Sequence, residues 1–272
     1  MKPVTIIGAG AVGRSIALAL FYSGVKIHSV YSRSGRSAVH LGKKVGASFS
    51  GMLSALLPIG PNVLVCVPDA DITEAAEILS RILPASYRGT VIHTSGSRTS
   101  AELYALKKKR CSTGSFHPMQ TFPRGKITPL DGVWCAIEGE QKALTVCRQM
   151  ARILQSHTFV ISKEAKVLYH IAGVFASNYV VTLMSVVHDL ARASGIPEKN
   201  IWKIYHPIID QSVRNAVKGT PGKALTGPIK RGDTETILTH LAALSNGTTA
   251  HLAPLYSALG IEAVRLAKKQ RQ

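Results

Sequence analysis

The sequence predicts an open α/β sheet, mostly parallel and doubly wound by helices on both faces, followed by an all-α region. Three observations carry this. Short β-branched runs alternate with helical stretches over the first 160 or so residues. A glycine-rich turn joins the first run to the first helix, and the strand signal stops after Ile161. At roughly 150 residues per domain, 272 residues suggest about two domains.

Val4 to Ile7 reads as the first strand, and a helix follows from about Ala11 to Ser23, closed by Gly24. Val25 to Tyr31 is the next strand, and a helical stretch to Val45 can be capped by Gly46. Further strands are expected at Val63 to Val67, Val91 to Thr94, Ser115 to His117, Val133 to Ile137 and Thr158 to Ile161. Helices are expected at Ile72 to Leu83, Ala101 to Lys108 and Leu144 to Leu154. The last strands should be antiparallel or peripheral.

Ser162 can cap the helix that comes next, and no break appears before Gly195-Ile196-Pro197. A single helix there has roughly 32 residues and would run about 48 Å. Helices from Lys199 to Ala216, Thr234 to Leu244 and Leu252 to Lys269 complete the chain, with a Gly/Pro-rich connection from Gly219 to Gly232. The boundary is therefore placed near Ser162: a nucleotide-binding domain over 1–162 and a helical substrate and dimerisation domain over 163–272.

Composition narrows the function classes. With 46% hydrophobic and 18% charged residues the chain is globular. The 33 Lys and Arg against 15 Asp and Glu leave a net charge of +18, which raises nucleic acid as a partner. Against it, only 6% of residues are aromatic, and the one dense basic run, Lys107 to Arg110, has no interleaved stacking residue. No nucleic-acid role is expected. Cys66, Cys111, Cys135 and Cys147 are widely spaced without a CxxC pair, as expected for reduced, buried thiols in a cytoplasmic protein. The 22 positions from Val167 to His188 lack any Asp, Glu, Lys or Arg, yet His170, Ser177, Asn178 and His188 interrupt the run. A buried helix is expected there, not a membrane span.

Gly8-Ala9-Gly10-Ala11-Val12-Gly13 satisfies GxGxxG between an apolar strand and a helix, the context that turns a weak motif into a dinucleotide site. Gly8 makes the tight turn, Gly10 lets pyrophosphate approach, and Gly13 brings helix and strand together. Ala11 and Val12 open the helix whose N-terminus faces the anion. Twenty residues beyond Gly13 stands Arg33, where an NAD site usually carries an acid. The local sequence Ser32-Arg33-Ser34-Gly35-Arg36 offers hydroxyls and two guanidinium groups to a 2′-phosphate. NADP(H) is therefore the expected cofactor; two solvated arginines in a surface turn are the plainer alternative. Val67, Pro68, Thr94, Ser95 and Gly96 follow two strand ends, where ligands of doubly wound sheets lie.

Together with Gly8 to Gly13, the segments Val67-Pro68-Asp69, Thr94 to Ser97, Ser115-Phe116-His117-Pro118-Met119-Gln120-Thr121-Phe122, Ala176 to Tyr179 and Leu225 to Asp233 carry a resemblance. The chain resembles, over essentially its whole length, an uncharacterised bacterial family that joins a Rossmann-like NADP-binding domain to a helical C-terminal domain of unknown function. More broadly it is similar to the 6-phosphogluconate dehydrogenase-like superfamily, which includes pyrroline-5-carboxylate reductase and ketopantoate reductase. The resemblance implies NADP binding, oxidation or reduction of a small molecule, and a C-terminal domain of the 6-phosphogluconate dehydrogenase type. Some members carry a Lys-xxx-Asn pair facing the nicotinamide; the matching positions here are Lys166 and His170, with His in place of Asn.

At i and i+4, Lys166 and His170 share a helix face and are the candidate catalytic pair, the lysine polarising or protonating an alkoxide and the histidine orienting substrate. Either can instead be a solvated or a core residue. His117 and Gln120, spaced around Pro118 after a strand, are candidate substrate contacts, as are Ser177, Asn178 and Arg231. Asp233 can equally cap a helix and leave Arg231 solvated. Ten histidines are scattered without HxH or HExxH spacing, so no metal is expected. The expected protein is an NADP-dependent oxidoreductase acting on a small carbonyl or imine of the hydroxy-acid or amino-acid type, homodimeric through its helical domain. The rival expectation is a sensor or interaction protein that binds NADP without catalysing hydride transfer; a basic DNA-associated protein is a third.

Overall fold

The computed structural model describes residues 1–53 and 58–269. Eight strands among these residues form one sheet: β1 (Val4–Ile7), β2 (Ile27–Ser32), β3 (Phe49–Met52), β4 (Asn62–Val65), β5 (Thr90–His93), β6 (Ser112–Pro118), β7 (Trp134–Gly139) and β8 (His157–Val160). Helices α1 (Ala11–Tyr22), α2 (Arg36–Lys44), α3 (Ile72–Ile82), α4 (Tyr104–Lys107), α5 (Gln141–Ile153) and α6 (Lys166–Ala176) accompany it. The strand order is β3-β2-β1-β4-β5-β6-β7-β8, and every neighbouring pair is parallel except β6 and β7.

Both faces of the central strands are buried, which explains their near-continuous apolar runs. Ile6, Leu64 and Ile92 point to one side and join residues of α1, α2 and α5, including Ile16, Leu20, Leu41 and Met150. Their neighbours Ile7, Val63, Val65 and Val91 point to the other side and pack with Ile72, Ala76 and Leu79 of α3 and Leu106 of α4. The chain reverses its winding direction beside β1, whose partners are β2 on one side and β4 on the other. That switch point leaves a crevice at the carboxyl ends of the strands.

By its internal contacts the chain divides into two compact units, Met1–Ser177 and Asn178–Gln272. Where the sequence suggested a boundary near Ser162, the contacts keep α6 with the sheet. The second unit comprises α7 (Asn178–Ala193), α8 (Glu198–Lys218), α9 (Pro221–Ala224), α10 (Gly227–Arg231), α11 (Thr234–Leu244) and α12 (Ala253–Lys269). Two short helices, α9 and α10, thus occupy the connection expected to be irregular.

Two expectations need correction. The single helix after Ser162 is two helices, broken at Ser177, whose backbone lies at φ −127° and ψ −69°. The Ser177 hydroxyl bonds back to the Gly173 carbonyl (2.9 Å), a local competitor to the helical ladder that bends helices. Nor is this stretch buried: Leu168 and Val181 are 72% and 71% exposed. The second unit as a whole is thinly packed, with only Ala191, Ile201, Gly222, Leu244 and Leu252 buried among its described residues.

All four cysteines are buried and free. Burial pushes the thiol of Cys66 up to about 12 and that of Cys135 up to about 11, so neither is a thiolate at neutral pH. Titration of native protein with a chromogenic disulfide should therefore show no fast-reacting thiol, and denaturant should release all four. Rapid reaction of even one native thiol would contradict this packing.

Candidate functional site

The loop between β1 and α1 is dictated by its glycines. Gly8 has φ +101°, and a Cβ there would collide with the Cys66 carbonyl oxygen; a Cβ on Gly13 would collide with the carbonyl oxygen of Gly8. Gly10 differs, because a side chain there would meet nothing within 4 Å. Gly10 precedes α1, which has no side-chain cap, so the amides of Ala11, Val12 and Gly13 have no acceptor within their own helix. Open space in front of bare helical amides is what a pyrophosphate requires.

At the end of β2, Ser32 is buried and its hydroxyl accepts from Ser37 (3.0 Å), while Arg33, Ser34 and Arg36 are exposed. The structure adds a neighbour that the local sequence does not show. Asp71, ahead of α3, lies 3.6 Å from the guanidinium of Arg33, whose side chain is 92% exposed. Such a surface pair is worth about 0–1 kcal/mol and yields readily to a better anion.

Beyond the ends of β4, β5 and β6 lies a cavity of about 180 Å³. Val12, Val67 and Asp69 form one side; Thr94, Ser95 and Gly96 form the floor after β5. His117, Pro118, Gln120 and Phe122 come from β6 and the loop behind it, and His170 comes from α6. Pro68 is exposed beside Val67 and is not among the lining residues. Larger grooves of about 510 and 380 Å³ exist elsewhere, but they run between surface helices away from any strand end.

The histidines of the cavity form a defined cluster. His117 Nδ1 is 2.8 Å from the Tyr169 hydroxyl, and the His117 ring stands edge-on to those of Tyr169 and His170 at 5.5 and 6.1 Å between centroids. A Cβ on Gly96 would stand 2.8 Å from both His117 Nε2 and His170 Nδ1, so only glycine lets the two imidazoles meet there. Burial, with Lys166 and His170 nearby, pulls His117 down to about 4. It is a neutral imidazole at neutral pH. Burial raises the Tyr169 phenol, which stays protonated.

Lys166 sits differently from its sequence expectation. It does not line the cavity; it is fully buried, and its Nζ donates to the Ser95 carbonyl (3.1 Å) and the Ser115 hydroxyl (2.9 Å). Ser115 is also 3.5 Å from Glu138, whose carboxylate accepts from the Ser100 amide (2.7 Å) and hydroxyl (2.6 Å). Burial lowers the lysine to about 8, against the opposing pull of Glu138 and Asp69. Lys166 is thus a positioning residue under the floor, and only His170 of the candidate pair reaches the cavity.

Of the remaining candidates, Gln120 lines the cavity with its Oε1 accepting from the Thr121 amide (2.8 Å). Ser177 ends α6, Asn178 opens α7, and Arg231 ends α10 in the second unit, exposed and 3.9 Å from Asp233. Asp233 caps α11, accepting from the Thr236 amide (3.1 Å) and hydroxyl (2.8 Å), which holds its carboxyl below the usual carboxylate range. Sequence reasoning missed Tyr169 and Glu138 as parts of the site, and gave His93, at a strand end beside the expected cofactor, no role. Glu138 and His93 carried a usable signal, since each is a lone carboxylate or imidazole in an otherwise apolar strand.

Residues 3–92 match the family model described as NADP oxidoreductase, coenzyme F420-dependent, and residues 133–263 match DUF2520, a domain of unknown function. No curated protein matches the chain. Among solved structures, a candidate NADP oxidoreductase from Bacteroides fragilis is 25% identical, with a TM-score of 0.79 over 97% of this chain and 98% of that one. A protein from Thermotoga maritima is 26% identical, with a TM-score of 0.73 over 99% and 100%. A reductive aminase from Aspergillus terreus, solved with NADPH and ethyl levulinate, has a TM-score of 0.67 over 97% and 94%; at 16% identity it shows the fold alone.

His93 gives the site its pH dependence. Its Nδ1 accepts from the Ser95 amide (3.1 Å), which leaves Nε2 to donate to the Thr99 carbonyl (3.0 Å), so a second proton has no place to go. Burial, with Lys166 nearby, pulls it down to about 4 from 6.5. His93 and His117 therefore bind protons more readily unfolded than folded, and stability should fall as pH drops from about 6.5 to about 4. Urea unfolding across that window should show the loss, and His93→Gln should lessen it, leaving the part due to His117; an unchanged slope would refute the assignment.

Proposed function

From a chain that joins an NADP-oxidoreductase domain to a DUF2520 domain, we infer an NADP(H)-dependent oxidoreductase that moves a hydride to or from a small carbonyl or imine carbon. The observation that carries this is the continuity of the glycine loop with the cavity: Val12 of the loop helix and His117 line the same space. When bound, the nicotinamide supplies or receives the hydride.

The chain's own residues divide the remaining work. Gly10 and the leading amides of α1 hold the pyrophosphate, and Ser32, Arg33, Ser34 and Arg36 hold the 2′-phosphate, Arg33 exchanging Asp71 for it. Thr94, Ser95 and Gly96 bind the carboxamide end or the substrate. When the Tyr169 hydroxyl donates to His117 Nδ1, the imidazole carries its hydrogen on Nε2 and presents it beside Gly96. His117 and Tyr169 thereby present a neutral hydrogen-bond donor to the substrate, with His170 orienting it.

Replacement of Arg33 by Ala should cost about 1.5–3 kcal/mol of NADPH binding, as for a hydrogen bond to a charged group. NADH affinity should barely change. Calorimetry on both cofactors checks this, and equal losses would remove Arg33 from the phosphate site. Absence of heat with either cofactor would remove the oxidoreductase reading itself.

The second unit is proposed to dimerise with a second copy. Its exposed Val181, Ile208, Val217 and Leu238 are each more than 60% accessible, too much apolar surface for a unit with five buried residues among those described. Lys166–Ala193 is apolar enough to raise a membrane span instead. However, Lys166 and Tyr169 are bound inside the sheet unit, and the 16 residues of α7 alone reach about 24 Å, short of a hydrocarbon core of about 30 Å. Light scattering should give twice the 29.1 kDa chain mass in detergent-free buffer. A monomer, or a requirement for detergent, would overturn the dimer.

A further inference from the structure

Resting on the cofactor reading above, we propose that the Asp69 carboxylate makes the cavity a site for a cation, so that the substrate is a protonated imine and not a keto or hydroxy acid. The placement of charge carries the argument. Asp69 is half-buried, lines the cavity, and receives the Ser97 hydroxyl on Oδ2 (2.8 Å), which leaves Oδ1 for a ligand. No lysine or arginine is among the residues that line the cavity. The one cation beneath it, Lys166, is sealed from it and spends its hydrogen bonds on Ser95 and Ser115.

Two carboxylates, Asp69 and Glu138, stand against that single ammonium, and the ammonium itself is weakened by burial to about 8. Acidic side chains therefore outnumber basic ones around the cavity floor. An anionic carboxylate substrate would enter that field with no cation to meet it; a protonated imine would find a carboxylate in a partly desolvated cavity, where charge pairing is strong.

The chemistry fits the same residues. The iminium carbon accepts a hydride with its electron pair from the reduced nicotinamide, the C=N π pair becomes the nitrogen lone pair, and a neutral amine and NADP⁺ result. No proton is drawn from the protein. A ketone would require one, and His117, held near 4, does not carry an acidic proton at neutral pH. An imine that arrives protonated removes that demand, and Asp69 is the group that favours the protonated form.

Three rings of similar shape test the charge preference without turnover: pyrrolidinium, cyclopentanol and cyclopentanecarboxylate, each titrated calorimetrically into the full chain saturated with NADPH. Pyrrolidinium should bind at least tenfold more tightly than cyclopentanol, and the carboxylate most weakly. Asp69→Asn should erase the tenfold preference while NADPH affinity, measured separately, stays unchanged and reports an intact fold; Asp69→Glu should retain part of it. Equal binding of cation and alcohol, or a preference that survives in Asp69→Asn, would overturn the proposal. So would a variant that loses NADP⁺ relative to NADPH with the ring preference intact, since the carboxylate would then serve the oxidised nicotinamide. Failure of the wild-type chain to bind NADPH would instead bring down the cofactor reading on which the proposal rests.

Discussion

The ammonium of Lys166, buried with no access to water, constrains the rest of the site. A buried ion costs several kcal/mol unless its hydrogen bonds are made, and here they are made by groups from two neighbouring strand segments, the Ser95 carbonyl beyond β5 and the Ser115 hydroxyl within β6. Ser115 in turn reaches Glu138 on β7, so one helix is bound to three consecutive segments of the sheet. With Lys166 fixed, Tyr169 and His170, three and four residues later, can only fall beside His117. The lysine thus acts through geometry and charge, and its charge adds to the burial that keeps His117 and His93 neutral.

At the other end, the requirements are those of the backbone alone. No side chain fits at Gly8 or Gly13, because the β1 turn, the Cys66 carbonyl and α1 are too close. That closeness aims the first turn of α1 at the crevice, and the parallel pairing of β1 with β4 and β4 with β5 brings Val67 and Thr94 to the same edge. The cavity is the place where this anion-binding edge meets the histidine cluster that Lys166 positions.

How much of this was legible depends on how local the cause was. β1, α1 and the glycine loop are set by neighbours in sequence, and Thr234–Leu244 was readable from its Asp233 cap and turn residues. β3 was not: Phe49-Ser50-Gly51-Met52 is a short edge strand with a glycine and no buried residue, so it lacks the periodic signal that burial imposes. The break at Ser177 was equally hidden, since no Gly or Pro marks it and a serine hydroxyl bonded back to Gly173 is compatible with a continuous helix. Lys166 and His170 were singled out by a family resemblance, and their spacing says which helix face they share but not whether that face is wet. The partners that decide it, Ser115 and Glu138, lie 51 and 28 positions before Lys166 in the chain.

The polarity of the site follows from both ends together. A net charge of +18 by itself would draw anions to any part of the surface. In the proposed reading the glycine loop, α1 and Arg33 use that tendency to hold a dinucleotide phosphate. The cavity opposes it, with Asp69 present, Lys166 withdrawn and the His117 imidazole held neutral. A ligand with phosphates at one end and a positive or neutral ring at the other is therefore oriented by charge before any contact forms. An acid in place of Arg33, or a lysine in place of Asp69, would remove that direction while leaving the fold of the sheet unchanged.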